Sequence, residues 1–143
     1  MTKNEEPRSV AALIDFARTC LRADRYPRDH HPHKVFACPN CGAQPLRLRI
    51  EHHTGSSQRD FKGVIFGRCS ACGTEERIFS FTGGHRKRLR EERPVCECGS
   101  PQFLVAVVER IEGDEGLPGF FDEGVIVGEC ARCGRHTTFV YTD

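Results

Sequence analysis

The chain has 143 residues, nine cysteines and a formal net charge of +1, so it is either one ordinary domain or two very small ones. No apolar run approaches the roughly 20 residues needed to span a membrane. The opening Met1-Thr2-Lys3-Asn4-Glu5-Glu6 has no apolar signal core, so the expectation is a cytoplasmic, reduced protein whose paired cysteines hold metal rather than form bridges.

Residues 4 to 25 read as an amphipathic helix, with Val10, Leu13, Ile14, Ala17 and Leu21 at helical spacing and Tyr26-Pro27 as its stop. Alone it has no core, so its stripe must lie on the rest of the chain or on a partner. Cys20 within it reads as a small hydrophobe. Arg28 to His33 is a polar connector whose three histidines lack preorganised ligand geometry.

From Val35 the pattern turns to β. Cys38-Pro39-Asn40-Cys41-Gly42 is followed by a strictly alternating strand, with Leu46, Leu48 and Ile50 facing inward and Arg47, Arg49 and Glu51 outward. Thr54 to Ser57 is a loop. Phe61 to Phe66 returns into Cys69-Ser70-Ala71-Cys72-Gly73, and Arg77 to Phe81 closes the unit. His85 to Arg93 reads as a basic, solvated connector, helical if Arg88 and Glu92 sit one turn apart.

The chain then repeats itself: Gly63-Val64-Ile65-Phe66-Gly67-Arg68-Cys69 returns as Gly124-Val125-Ile126-Val127-Gly128-Glu129-Cys130, each copy running into a Cys-x-x-Cys-Gly turn. Aligned on Cys41-Gly42 and Cys98-Gly99, Leu46, Leu48 and Ile50 match Phe103, Val105 and Val107. The outward residues differ, because Arg47, Arg49 and Glu51 become Leu104, Ala106 and Val108, a strand apolar on both faces. Something must cover it, first of all the N-terminal helix, then the first unit, a second molecule or a protein partner. The loop from Glu112 to Gly124 sets Leu117, Phe120 and Phe121 among acids and glycines. These aromatics either fold back or anchor a partner.

Four cysteine pairs make two sulfur sets. Each small unit would be stapled by a metal, because so few residues bury too little apolar surface. Glycine after each pair lets the chain pass close behind the turn. Cys38, Cys41, Cys69 and Cys72 form one set, and Cys96, Cys98, Cys130 and Cys133 the other. Cys96-Glu97-Cys98 has one intervening residue rather than two, so its turn must be tighter. His52, His53 and His85 are fallback ligands only.

This spacing resembles the zinc ribbon, or rubredoxin-like, fold over about three quarters of the chain. The resemblance implies a small, metal-stabilised, mainly β protein: two tandem zinc ribbons preceded by one amphipathic α-helix. Its divisions are helix and connector (1–33), a basic ribbon (34–82), a basic linker (83–93) and an acidic ribbon (94–143). It also implies two Zn2+ ions, with iron as the alternative. The scarcity of Trp and Tyr weighs against the aromatic core of a rubredoxin electron carrier.

Fold resemblance does not fix function. The leading expectation is a non-catalytic interaction module, an adaptor or accessory subunit with a protein partner. In architecture alone, tandem ribbons resemble the client-recognising part of formate dehydrogenase accessory proteins. No Ser/His/Asp set stands out, and four thiolates leave no open metal position. Residues 34 to 81 carry seven Lys/Arg against four Asp/Glu, and residues 94 to 143 three against nine. The second expectation is therefore nucleic-acid binding through Arg47, Arg49, Arg59, Lys62, Arg68 and the linker cations Arg86, Lys87, Arg88 and Arg90. A third, weaker resemblance is to transcript-cleavage factors, with Asp122 and Glu123 near the position of that family's acidic pair; its neighbouring arginine-serine is missing here. Separate sites imply that Cys69→Ser would damage the first unit far more than the second.

Overall fold

The computed structural model describes residues 8–21, 30–57, 60–81, 88–112 and 120–142. One helix, α1 (Arg8–Thr19), precedes eight strands: β1 (His33–Val35), β2 (Leu46–His53), β3 (Gly63–Cys69), β4 (Glu75–Phe81), β5 (Arg88–Glu92), β6 (Gln102–Glu112), β7 (Phe120–Cys130) and β8 (His136–Thr142). Among the described residues the chain is mainly antiparallel β with one short helix, which ends at Thr19, before Cys20 and Leu21.

Each repeat contributes a three-stranded meander, β2-β3-β4 and β6-β7-β8. The two meanders are not separate bodies. Strand β2 pairs with β6 through Leu46↔Phe103 and Arg47↔Gln102, giving the continuous order β4-β3-β2-β6-β7-β8. Leu46 and Phe103 occupy the same place in the two copies, so a local dyad passes between them. Pro45 has no N–H to extend this ladder.

The short strands tie the copies together a second time. β1, which leads into the first repeat, pairs with β6 of the second, and β5, which leads into the second repeat, pairs with β2 of the first. Residues 88 to 92 are thus a strand laid along Ile50 to His53, not a helical or free linker. The first half of that connector, 82–87, lies outside the described residues, and with it Arg86, Lys87 and His85.

Two apolar layers result. The inward residues of both repeats face one another in a common core of Leu46, Leu48, Ile50, Phe61, Ile65, Phe103, Val105, Ile126 and Val140, with Phe36 at its margin. Outside β6 and β7, the α1 stripe of Val10, Leu13, Ile14, Ala17 and Leu21 packs on Leu104, Ala106, Val108, Val125 and Val127. Burying a Leu or Ile side chain contributes about 1.5–3 kcal/mol, so this stripe alone explains why a 12-residue helix is stable here. It also corrects one expectation: Leu104, Ala106 and Val108 are closed beneath α1 and offer no partner surface.

Beyond this layer, Arg110 and Glu123 sit opposite each other on β6 and β7, fully buried, with Arg110 Nε 3.3 Å from Glu123 Oε1 and the Tyr141 hydroxyl donating to Glu123 Oε2. Glu123 is therefore a structural partner of an arginine and not half of an exposed acidic pair; the side chain of Asp122 lies outside the described residues. Strands β6 and β7 also extend into the stretch read as a loop, pairing Ile111 with Phe121 and Glu112 with Phe120. Leu117 and the side chains of Phe120 and Phe121 lie outside the described residues.

The repeated glycines have local reasons. In β4 and β8 a bulge inserts Ile78 and Phe139 at matching places, and each turns toward the glycine of the neighbouring strand. A Cβ on Gly128 would lie 2.3 Å from Phe139, and one on Gly67 3.4 Å from Ile78. Phe139 fills that space edge-on to Phe103, with ring centroids 5.0 Å apart. Gly63 is tighter still: at φ +157 its Cβ would come 1.9 Å from the Glu51 carbonyl oxygen. Gly63→Ala is expected to destabilise the metal-loaded protein by about 2 kcal/mol or more, and Gly67→Ala by less, since Leu46 at 3.1 Å is a flexible neighbour. Urea unfolding curves of the two variants check the order.

Candidate metal centres

Each sulfur set is assembled by two hairpin turns. In three of them the first cysteine's carbonyl accepts from the glycine four residues on: Gly42 N–H to Cys38 O at 2.8 Å, Gly73 to Cys69 at 3.0 Å and Gly134 to Cys130 at 3.0 Å. The same cysteine donates its N–H one residue further, to Ala43, Thr74 and Arg135. The shorter Cys96-Glu97-Cys98 turn keeps this pattern with one residue fewer, Gly99 donating to Cys96 O at 2.8 Å and Cys96 donating to Ser100 O at 2.9 Å. That is how a one-residue spacing still delivers two sulfurs. All four glycines have φ between 77 and 93°. At Gly42, Gly99 and Gly134 an added Cβ would meet nothing within 4 Å, so the requirement is the left-handed backbone and not close passage of the chain.

The sulfurs of Cys38, Cys41, Cys69 and Cys72 lie within 4.8 Å of one another, as do those of Cys96, Cys98, Cys130 and Cys133. Individual separations are 3.6 Å for Cys38–Cys72, 3.4 Å for Cys41–Cys69, and 3.5 Å for both Cys96–Cys133 and Cys98–Cys130. A disulfide needs about 2.05 Å, whereas a tetrahedral ion with sulfurs at about 2.3 Å separates them by about 3.8 Å. The sets fit a metal ion, and no cysteine is bridged. In each set two cysteines are buried and two exposed. His52 and His53 stand outside both sets; His53 is buried, and its Nδ1 has no hydrogen-bond partner.

The surroundings sort the thiols by charge. The Thr74 hydroxyl, 3.2 Å away, the Thr74 backbone N–H and the Asn40 amide pull Cys72 down to about 5. Backbone N–H groups of Cys133 and Arg132 hold Cys130 near 6, and those of Cys72 and Ala71 lower Cys69. Cys41 receives a lowering hydrogen bond from Ala43, yet its sulfur neighbours, Cys69 foremost, and burial push it up to about 12. Cys96, despite the Cys98 N–H, is likewise driven up to about 12 by burial and by Cys133, Cys98 and Cys130. Four sulfurs at this distance do not all ionise without a cation among them.

One buried cysteine of each set lies on a common cross-strand row, Cys69–Leu46–Phe103–Cys130. Three inter-strand spacings of about 4.8 Å place them about 14 Å apart.

Elsewhere, a cleft of about 740 Å3 is lined by His52, Ser56, Phe61, Arg90 and Glu92 among others. His52 Nδ1 lies 3.3 Å from Ser56 Oγ and Nε2 lies 3.0 Å from Glu92 Oε2, a set the sequence reading missed because Glu92 is forty residues from His52. The N–H groups of Ser56, Ser57, Asp60, Phe61 and Lys62 are all engaged, leaving none of these five free to hold an oxyanion. The set clasps β5 and the 53–57 loop to β2.

The basic residues are dispersed. Arg49 is bound to Glu51 and Glu75 at 2.6 Å each and lies over the Phe66 ring at 4.1 Å. Lys62 is 4.0 Å from Asp60, and Arg90 lines the His52 cleft. Arg59 and the side chain of Arg88 lie outside the described residues. Only Arg47 and Arg68, of the basic residues on the outer face of β2 and β3, stand side by side and exposed.

Compared with protein-family models, curated proteins and solved structures, the chain has no match in any of the three. Among the described residues no helix is long and apolar enough to cross a membrane.

Two outcomes follow from this geometry. Because Cys41 and Cys96 carry protons at neutral pH while Cys72 and Cys130 are already thiolates, metal loading must release at least one proton per set. Zinc affinity is then expected to rise about tenfold per pH unit for each proton released and to fall on acidification; chelator competition on either side of neutrality measures it. The shared row and core also change the expectation for Cys69→Ser. Its loss is now expected to accelerate metal release from the second set several-fold, whereas an unchanged rate there would show the sets to be independent.

Proposed function

We propose that the chain is a non-catalytic binding module, an adaptor or accessory subunit, whose two sulfur sets each hold one structural zinc ion. What carries this reading is the closure of both sets: four thiolates saturate a tetrahedral ion and leave no position for water or substrate. Iron fits the same donors, and the aromatic argument against it weakens, since Phe36, Phe61 and Phe103 with Phe79 and Phe139 occupy the core. Zinc is assigned because the ions act as staples. A structural zinc contributes on the order of 10–16 kcal/mol in small peptides.

Support for a protein partner comes from exposed apolar residues away from α1: Phe81, Leu89 and Val95 are 39, 61 and 60 % exposed. Phe81 also borders an apolar cavity of about 220 Å3 with Phe79, Val107, Ile126 and Val140. The second reading, contact with nucleic acid, is favoured by one observation, the exposed Arg47–Arg68 pair.

The purified protein is expected to be colourless and to contain two zinc ions per chain by elemental analysis; stoichiometric iron with visible absorption would replace this reading with electron transfer. Affinity capture from native cells under rising salt separates the other two. A protein companion should persist at high salt, whereas nucleic acid should be shed.

A further inference from the structure

We infer that the outer face of the first repeat holds a single phosphate-binding subsite formed by Arg47, Arg68 and Ser70, fitted to the backbone of single-stranded nucleic acid. This deepens the second reading above, contact with nucleic acid, and rests on it.

Arg47 and Arg68 are direct cross-strand partners on β2 and β3. Like charges placed so are destabilising, and among the described residues no carboxylate pairs with either. The next residue across the ladder from Arg68 is Glu75, yet its carboxylate is turned to Arg49 at 2.6 Å. Glu51 is spent on the same arginine. Among the described residues, neither Arg47 nor Arg68 has an ion pair or hydrogen bond. With Cys69, Ser70 and Gly73 they line a cleft of about 260 Å3. A Cβ on Gly73 would lie 3.8 Å from Arg68 Nη2, so the guanidinium reaches along the turn toward that glycine.

The second repeat supplies an internal control. Where the first has Arg47, Arg68 and Ser70, the second has Leu104, Glu129 and Ala131. Leu104 is covered by α1, and Glu129 is paired with His136 at 2.9 Å. The same turn and the same sulfur set therefore form without the arginine pair, so the pair is not a requirement of the metal site.

Two arginines and a serine lining one cleft offer donors suited to a tetrahedral oxyanion. A peptide held by strand addition is excluded, since β3 is flanked on both sides, as is β2 at this end. What lies alongside instead, two residues along β2, is the Arg49–Phe66 stack, a planar surface of the kind on which bases rest.

The test uses zinc-loaded full-length protein and a short labelled single-stranded oligonucleotide, followed by fluorescence anisotropy at several salt concentrations. Wild type should bind at low salt, with inorganic phosphate competing. Arg47→Gln with Arg68→Gln should weaken binding at least tenfold and flatten the log–log salt slope by about 0.7, the loss of one single-strand phosphate contact. Arg18→Gln, on the exposed face of α1, should change neither. Equal binding by the double variant, no binding by wild type, or binding of a phosphoserine peptide alone would overturn the assignment. Zinc content, measured on the same samples, reports separately on the binding-module reading.

Discussion

Mutual repulsion among clustered thiolates is the constraint on which the structure depends. Each set brings four sulfurs to separations near those around a tetrahedral ion, and with protons alone it settles into a split state, thiolate at Cys72 and Cys130, thiol at Cys41 and Cys96. A metal cation held there would remove the conflict, and the free energy so gained would fix turns whose backbone N–H groups are already aimed at sulfur, as from Ala71 to Cys69 and from Arg132 to Cys130. The apolar interior then has a rigid end to grow from.

That interior is one object because the repeats grip each other twice. Pairing of Leu46 with Phe103 joins the meanders edge to edge. The crossed strands β1 and β5 then close each meander with a piece of chain belonging to the other. Without this exchange the inward faces would be two shallow apolar sheets, each too small to hold a core. With it they share Ile50, Ile65, Val105 and Ile126 in one layer. The outer faces differ most: α1 roofs the second repeat while Arg49, fixed by two carboxylates, shields Phe66 in the first.

Much of this was legible in the residues. Alternation at Leu46, Leu48 and Ile50 gave the inner face, and the apolar Leu104, Ala106 and Val108 asked for a cover that α1 supplies. The sulfur sets followed from spacing, down to Cys96 and Cys98. Other features depend on contacts between residues far apart, which local pattern does not encode. Arg88 to Glu92 has charges compatible with a helix, and only the free edge of β2 makes it a strand. Glu123 beside Asp122 looks like an acidic pair until Arg110 is found across the ladder. The basic half looked like one surface because counting ignores which side of a sheet a residue occupies, and that separates Arg47 from Arg90.

The local twofold between Leu46 and Phe103 has a consequence for descent as well as for architecture. A single-copy chain with this pattern would meet a twin through the same edge and trade leading strands with it, forming a closed symmetric pair. Joining two such copies head to tail preserves every contact while releasing the halves from identity. One outer wall was then free to become a seat for a helix and the other to become a charged, open face.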